Sequence, residues 1–151
     1  MNLAIMQPYL FPYIGYWQLI NAVDTFVIYD NIQFTKKGWF NRNNFLLDGK
    51  TKLFSVPIKK DSDQLNVVER YLSETAAKDI NKIISQVENA YKKAPYFNDV
   101  FPFIVDVFKY KERNLFLYIY FSVKEICKYL DINTKIIVSS SIDIDHSLKG
   151  Q

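Results

Sequence analysis

Residues 7–16 form the first of two polar segments that could bind a ligand. The segment reads Gln-Pro-Tyr-Leu-Phe-Pro-Tyr-Ile-Gly-Tyr, and its two prolines limit the entropy that is lost on binding. Free backbone N–H groups at a helix start near Gly15 would favour an anionic group. The alternative is an ordinary proline-rich connection whose tyrosines pack on the sheet edge. The residues predicted to contact a substrate here are Gln7, Tyr9, Tyr13, Gly15 and Tyr16.

Residues 30–43 form the second segment, which is rich in charged and amide side chains. Arg42 can hold a carboxylate or phosphate with two parallel hydrogen bonds, and Lys36 or Lys37 can supply a point charge. Asp30 can serve as a general base, a metal-binding carboxylate or a ribose contact. The alternative is a solvated loop whose charges have no function. We predict catalytic roles for Asp30, Lys36 and Arg42, and substrate contacts from Gln33, Asn41 and Asn43.

Three consecutive serines, residues 139–141, directly follow the last apolar run of the chain. Serines in this position can bind phosphate through hydroxyl and backbone N–H groups, which predicts a substrate contact from Ser140. A turn or helix cap is the alternative. We expect no catalytic role for His146, Asp143 or Asp145, because they lie in a tail of low apolar content.

The elements that must position these residues begin with a strand, a short helix and a second strand. Residues 3–6 are a short apolar run, apolar residues recur at helical spacing from Gly15, and residues 25–29 form another apolar run. This compact order predicts a parallel strand pair. Ligands bind outside the carboxyl ends of parallel strands, so both polar segments are expected to open onto the same rim.

The rest of the chain predicts a hairpin followed by a helical half. Asp48-Gly49 is a strong two-residue turn signal between strands at 44–47 and 52–58. Residues 59–64 read as a solvated loop, and Asn114 can cap a helix. The other predicted elements are a short strand at 66–72, helices at 76–91, around Pro102 (in its first turn) and at 115–130, and a strand at 135–138.

Length and composition predict one domain. The 151 residues are 49% hydrophobic, enough for a single core. We therefore predict a single α/β domain over residues 1–151, Rossmann-like and three-layered, with a small, mainly parallel sheet, a β-hairpin excursion and a helical C-terminal half. Residues 142–151 predict a loose tail, or a chain that stops before its next element.

Several function classes conflict with the composition. One cysteine and one histidine exclude disulfide scaffolds, thiolate zinc sites and His-rich centres, so no metal site is predicted and no cofactor is assigned. The net charge of +3 includes no run of five basic residues, which argues against nucleic acid but suits an anionic small-molecule substrate. Apolar runs are too short for a signal peptide or a membrane span, so we expect a cytoplasmic protein.

Aromatic residues are unusually frequent, with 12 Phe, 11 Tyr and 2 Trp. Such a surplus suggests wet, concave or interfacial surfaces, although an AT-rich genome also favours these residue types. An aromatic stripe that covers several helix faces predicts core and interface packing, in which the exposed aromatics bury either against a missing segment of the chain or against another subunit of a homo-oligomer. The stripe comprises Phe116, Tyr118, Tyr120 and Phe121.

The N-terminal strings resemble the WbqC-like family. The resemblance is carried mainly by residues 5–58 and weakens toward Ser141. It implies an association with bacterial surface-polysaccharide (O-antigen-type) gene clusters and chains longer than this one. Members often carry His where this chain has Met6, so a catalytic role for that His would be absent or displaced. The strings that carry the resemblance are residues 6–16, 24–30, 33–39 and 41–43.

A second resemblance is positional only. Residues 13–16, Tyr-Ile-Gly-Tyr, lie where HxGH nucleotidyltransferases carry their phosphate-binding His residues, and the three serines lie where those enzymes carry a Ser/Thr phosphate motif. Tyrosine carries no positive charge at neutral pH, so stabilisation of the leaving group would pass to Lys36, Lys37 or Arg42.

The candidate anion-binding residues, together with the polysaccharide association that the resemblance implies, predict a transferase or sugar-modifying enzyme of surface-polysaccharide biosynthesis. Its substrate would be an anionic or nucleotide-linked small molecule, and nucleotidyl, acyl and glycosyl transfer all remain open. One alternative is a non-catalytic binding or partner subunit of a biosynthetic complex. Another is a regulatory or structural subunit made obligate by exposed aromatics.

Overall fold

The computed structural model describes residues 1–144, which form four α-helices, five strands and two single 3₁₀ turns. The turns are Val67–Glu69 and Ser139–Ser141. The helices and strands, in chain order, are β1 (Leu3–Met6), α1 (Ile14–Asn21), β2 (Thr25–Ile28), β3 (Arg42–Leu47), β4 (Lys50–Ser55), α2 (Ala76–Tyr91), α3 (Phe97–Phe108), α4 (Leu115–Tyr129) and β5 (Lys135–Val138).

A three-stranded parallel sheet organises the molecule. Its strand order is β1-β2-β5, and Ala4, Phe26 and Ile136 lie side by side in register. The predicted mixed α/β fold, with a small parallel sheet, a hairpin excursion and a helical second half, is confirmed. Because all three strands point the same way, their carboxyl ends bring residues 7–16, 29–31 and 139–141 to one edge.

The core packs mainly on one face of this sheet. Both crossovers step in the same direction, and right-handed connections that step the same way lie on the same face. Phe26 and Ile28 accordingly join the buried cluster that includes residues of α1 and α4. On the opposite face, Leu3 and Ile5 of β1 are 49% and 58% exposed.

The hairpin forms where its turn residues predict it. Asp48 and Gly49 have φ angles of 50° and 74°, the left-handed values that a type I′ turn requires. The antiparallel pairing runs from Arg42 opposite Ser55 to Leu47 opposite Lys50. It therefore begins two residues earlier than predicted, and Pro57 lies beyond the second strand.

Two predicted elements were wrong in detail. Residues 66–72 form no strand: Asn66 and Glu69 make a reciprocal capping box around a 3₁₀ turn, and only isolated β-bridges remain on either side. Pro102 lies inside α3 rather than in its first turn, because the helix already begins at Phe97.

The helical half packs against the region of the 3₁₀ turn. The side chain of Asn114 accepts a hydrogen bond from the Leu117 N–H (3.0 Å) and donates one to the Val68 carbonyl (2.7 Å), which confirms the predicted cap. Phe116 and Tyr118 of the aromatic stripe are buried, so they belong to the core. Within residues 1–144 no helix has the length and apolarity needed to cross a membrane.

Candidate functional site

The two polar loops that follow β1 and β2 contact each other. The Asn43 side-chain amide donates hydrogen bonds to the carbonyls of Leu10 (3.1 Å) and Phe11. The ring of Tyr9 stacks on Trp39, with ring centroids 6.1 Å apart. Residues 7–16 and 30–43 therefore lie on the same side of the sheet, which a shared site requires.

Tyr16 anchors the first loop from within the core. Its side chain is 1% exposed, and its hydroxyl donates to the Gln7 carbonyl at 3.0 Å. Burial raises the pKa of this hydroxyl, with a smaller contribution from Cys127. The Trp17 indole N–H adds a bond of 3.0 Å to the Pro12 carbonyl. Tyr16 thus holds the loop in place. It lies in the core and does not reach the surface where a substrate contact was predicted.

Tyr9 and Tyr13 supply the tyrosine side chains that reach the surface of this loop. Tyr13 is exposed and its ring lies against Gly15, where a Cβ atom would collide with it. Gly15 therefore serves the placement of Tyr13. Tyr9 is partly buried, and burial followed by the nearby Tyr13 raises the pKa of its hydroxyl. Both hydroxyls can donate hydrogen bonds.

Asp30 joins the carboxyl ends of β2 and β5. Its carboxylate accepts hydrogen bonds from the Ser139 hydroxyl (2.7 Å), the Ser140 hydroxyl (2.7 Å) and the Ser140 backbone N–H (3.0 Å). The Asp30 N–H donates in return to Ser139 Oγ at 3.2 Å. Ser139 also lies 2.8 Å from the side-chain oxygen of Asn31. We call these residues, Asp30, Asn31, Ser139 and Ser140, the strand-end seam.

The hydrogen bonds of the seam set the protonation of Asp30. Burial alone raises the pKa of this carboxyl, but the bonds from Ser140 and Ser139 outweigh burial and lower the pKa below 3.8. Asp30 is therefore ionised at neutral pH. A lowered pKa makes a weak general base, and the hydroxyl of Ser140 is already committed to Asp30.

Arg42 is held by the backbone of its own loop. Its Nε donates to the Gly38 carbonyl (2.9 Å) and Nη2 donates to the Lys37 carbonyl. The guanidinium also lies 5.2 Å from the centre of the Trp39 ring. The Trp39 ring therefore contacts both Tyr9 and Arg42. Only two of the five N–H donors of Arg42 are used in these bonds, so the others can serve an anion.

Gln33, Lys36 and Asn41 turn toward the segment that follows β4. The Lys36 ammonium forms an ion pair with Asp63 at 2.9 Å, and the Gln33 amide donates to the Asp63 carbonyl at 2.9 Å. The buried Asn41 amide donates to the Val56 carbonyl at 2.8 Å. These three residues thus connect the second loop to residues 55–64, away from the strand-end seam.

A cavity of about 600 Å³ lies between these two segments. We call it the basic cavity, because five basic and two acidic side chains line it. That excess equals the +3 net charge of the entire chain. Its charged lining residues are Lys36, Arg42, Lys59, Lys60, Arg70, Asp61 and Asp63, and the others are Phe34, Asn41, Leu53, Ser55, Ile58 and Ser62.

Comparison with known proteins decides the family. The WbqC-like protein family matches residues 7–149, nearly the whole chain. The chain belongs to the WbqC-like protein family. An uncharacterized protein of Mycobacterium tuberculosis, Rv1507c, is 30% identical over 138 residues, which cover 89% of this chain and 58% of Rv1507c. The WbqC-like chain thus spans less than two thirds of the length of that relative. No solved structure matches it.

Three basic residues of this WbqC-like protein were missed as functional candidates. Lys59 and Lys60 belong to the segment that the sequence predicted to be a solvated loop, and Arg70 belongs to the predicted strand at 66–72. The Lys59-Lys60 pair, one of three Lys-Lys pairs in the chain, was the one signal available. Nothing in the local sequence indicates that Arg70 is buried, because that burial depends on contacts with Phe34 and the 59–62 backbone.

Other chemistry finds less support in the residues that the structure describes. No group of three or more His, Cys, Asp or Glu side chains in residues 1–144 is arranged to hold a metal ion. Burial raises the pKa of the Cys127 thiol to about 11, which leaves little thiolate at neutral pH. Asp143 is exposed, whereas Asp145 and His146 lie outside the described residues.

Proposed function

We propose that this chain binds a phosphate-bearing, nucleotide-linked small molecule and acts as a transferase in the biosynthesis of bacterial surface polysaccharide. The observation that carries the proposal is the basic cavity, where the predicted cations Lys36 and Arg42 share one lining with three further basic residues. A concentrated positive lining raises the local concentration of anions and strengthens their binding. The pathway itself is supported only by the association of the WbqC-like family with polysaccharide gene clusters.

The neighbouring loops suit a ligand with more than one chemical part. The cavity volume of about 600 Å³ is in the range of sites for nucleotide-sized ligands. Arg42 and Lys36 would neutralise the anion together with the other basic side chains of the cavity, while the Tyr9 and Tyr13 hydroxyls would donate to sugar or base oxygens. Asp30, ionised and hydrogen-bonded to Ser139 and Ser140, would hold the carboxyl ends of β2 and β5 in place at the edge of the site. A cytoplasmic location, where nucleotide-linked donors are made, is part of the same proposal.

A ligand screen tests the binding half of this proposal. Thermal unfolding is measured with nucleoside diphosphates and nucleotide sugars, with and without Mg²⁺, at constant ionic strength. We expect at least one nucleotide-linked compound to raise the Tm, because a ligand that binds only the folded state stabilises it. Arg42→Ala should abolish the shift, and Arg113→Ala, which removes an exposed arginine outside the cavity, should retain it. A screen without any shift would refute nucleotide-linked binding.

A non-catalytic binding subunit is the second candidate. The observation in its favour is that the carboxylate of Asp30 and the hydroxyl of Ser140 are already bonded to each other. Chromatographic detection of released nucleotide, after incubation with the stabilising compound and candidate acceptors, separates the two candidates. Release above the buffer blank that is lost in Arg42→Ala supports a transferase, whereas tight binding without release supports a binding subunit.

A further inference from the structure

Arg70 places a positive charge inside the protein without an acidic partner. The side chain is 3% exposed, and none of the ion pairs within residues 1–144 includes it. Its guanidinium lies 4.9 Å from the centre of the Phe34 ring, and its Nε atom is buried without a hydrogen-bond partner. Buried charges are normally paired, and buried donors are normally bonded, so this arrangement requires an explanation.

Neither of the carboxylates that line the cavity with Arg70 forms an ion pair with it. Asp63 forms its ion pair with Lys36, and Asp61 accepts a hydrogen bond from the Ser62 backbone N–H at 2.9 Å. The same segment carries Lys59 and Lys60, which are exposed and take part in no ion pair of the described chain. The region of the basic cavity nearest Arg70 therefore holds three cations and, with Asp63 paired to Lys36, one carboxylate without an ion pair in the described chain, that of Asp61, so an excess of positive charge remains.

Arg70 also fixes the backbone that presents the two lysines. Its Nη1 donates to the Ser62 carbonyl at 2.7 Å and its Nη2 donates to the Lys59 carbonyl at 3.3 Å. The Lys59 N–H in turn donates to the carbonyl of Tyr71 at 2.8 Å. Both ends of residues 59–62 are thus tied to one buried side chain, so the lysines start from a fixed backbone and lose less entropy when a ligand binds.

We propose that this end of the basic cavity, formed by Lys59, Lys60 and Arg70, is the phosphate subsite of the protein and takes a diphosphate group. Lys59 and Lys60 would contact the phosphate oxygens. Arg70 would act as a positioning residue whose charge is weakly screened because it is buried. The inference rests on the proposed function in one respect, since it assigns the phosphate part of the proposed nucleotide-linked ligand to residues outside the two predicted loops.

Isothermal titration calorimetry with inorganic pyrophosphate at low, constant ionic strength tests the subsite. The variants are Lys59→Ala/Lys60→Ala and, as a matched control, Lys92→Ala/Lys93→Ala, which removes an adjacent pair of exposed lysines outside the cavity. We expect pyrophosphate to bind the wild type, the first pair of substitutions to weaken binding at least about ten-fold, and the control to change it less than about two-fold.

The outcomes separate this subsite from the proposed function. Absence of pyrophosphate binding, or an equal loss in both lysine variants, overturns the subsite. If a nucleotide sugar binds the wild type and the Lys59→Ala/Lys60→Ala variant equally well, the subsite is wrong while the proposed function stands. If pyrophosphate binding depends on Lys59 and Lys60 but no nucleotide-linked compound binds, the subsite stands and its ligand is a free phosphate compound.

Discussion

Asp30 and Arg70 are buried to the same extent but in opposite circumstances. Each side chain is 3% exposed. Asp30 accepts three hydrogen bonds from Ser139 and Ser140, and its pKa is lowered in consequence. Arg70 bonds only to two neutral carbonyls, keeps its buried Nε atom without a hydrogen-bond partner and has no carboxylate partner in the described chain.

The difference separates a structural charge from one that is available to a ligand. When a buried ion makes all its hydrogen bonds within the protein, those bonds offset the free energy cost of its desolvation. Few of its donor or acceptor groups then remain free to bind a substrate. A buried ion without a counter-charge retains an unfavourable energy that an arriving ion of opposite sign can relieve. The strand-end seam is therefore an element of the fold, and the basic cavity is the better candidate for binding.

Replacing Asp30 should have the largest effect on stability. Asp30→Ala removes the acceptor of three hydrogen bonds at the junction of β2 and β5, and the Ser139 hydroxyl then keeps only the Asn31 side-chain oxygen as an acceptor. We expect the free energy of unfolding to fall by about 3 kcal/mol, measured by urea denaturation and circular dichroism. Asp143→Ala, an exposed carboxylate, is the control and should change it by less than about 0.5 kcal/mol. A loss below about 1 kcal/mol in Asp30→Ala would show that the seam is not structural.

Acid should reduce the contribution of Asp30. Because its pKa in the folded protein lies below the ordinary value of 3.8, the carboxylate stabilises the fold fully above that value. This stabilisation is lost as the pH falls through the lower folded-state pKa. We expect the stability difference between wild type and Asp30→Asn to be largest near pH 7 and to shrink in strong acid. Urea denaturation of both proteins over this range measures it, and a constant difference would contradict the lowered pKa.

The contrast between these charges also shows what the sequence could predict. The strands, α1 and the hairpin follow from local patterns: apolar runs, helical spacing and the Asp48-Gly49 turn. Parallel strands then explain why residues 7–16 and 30–43 meet. The partnership of Asp30 with Ser139 was not predictable in this way, because it joins residues 109 apart and requires β5 to lie beside β2.

Side chains with long-range partners account for the misplaced site residues. Tyr16 was assigned to the ligand surface because a tyrosine at a helix start is ambiguous until its hydroxyl finds the Gln7 carbonyl. Arg70 was overlooked because charged residues are rarely buried, and its burial depends on Phe34 and residues 59–62 folding around it. Because a buried, unpaired arginine is an exception to the usual distribution of charged residues, Arg70 was not predicted from the sequence.

The serines of the seam give a finer test of its structure. Ser139 is buried and bonds to Asp30, whereas Ser141 is exposed and bonds only to the Val138 carbonyl. We expect Ser139→Ala to lower the free energy of unfolding by about 1.5 kcal/mol and Ser141→Ala to lower it by less than about 0.5 kcal/mol. Denaturant titration of both variants checks the ranking. Equal effects would mean that the seam relies on Asp30 and Ser140 alone.

Replacing Arg70 should have the smallest effect on the ligand-free protein. Arg70→Met keeps much of the buried aliphatic stem, removes an uncompensated charge and loses two bonds to carbonyls. These terms oppose each other, so we expect the free energy of unfolding to change by less than about 1 kcal/mol, as when buried ions are replaced by apolar residues. Pyrophosphate should raise the Tm of the wild type and of Arg113→Met but not the Tm of Arg70→Met. If the free energy of unfolding of Arg70→Met fell by about 3 kcal/mol without ligand, the protein itself would already compensate the charge of Arg70. Arg70 would then be a structural charge like Asp30.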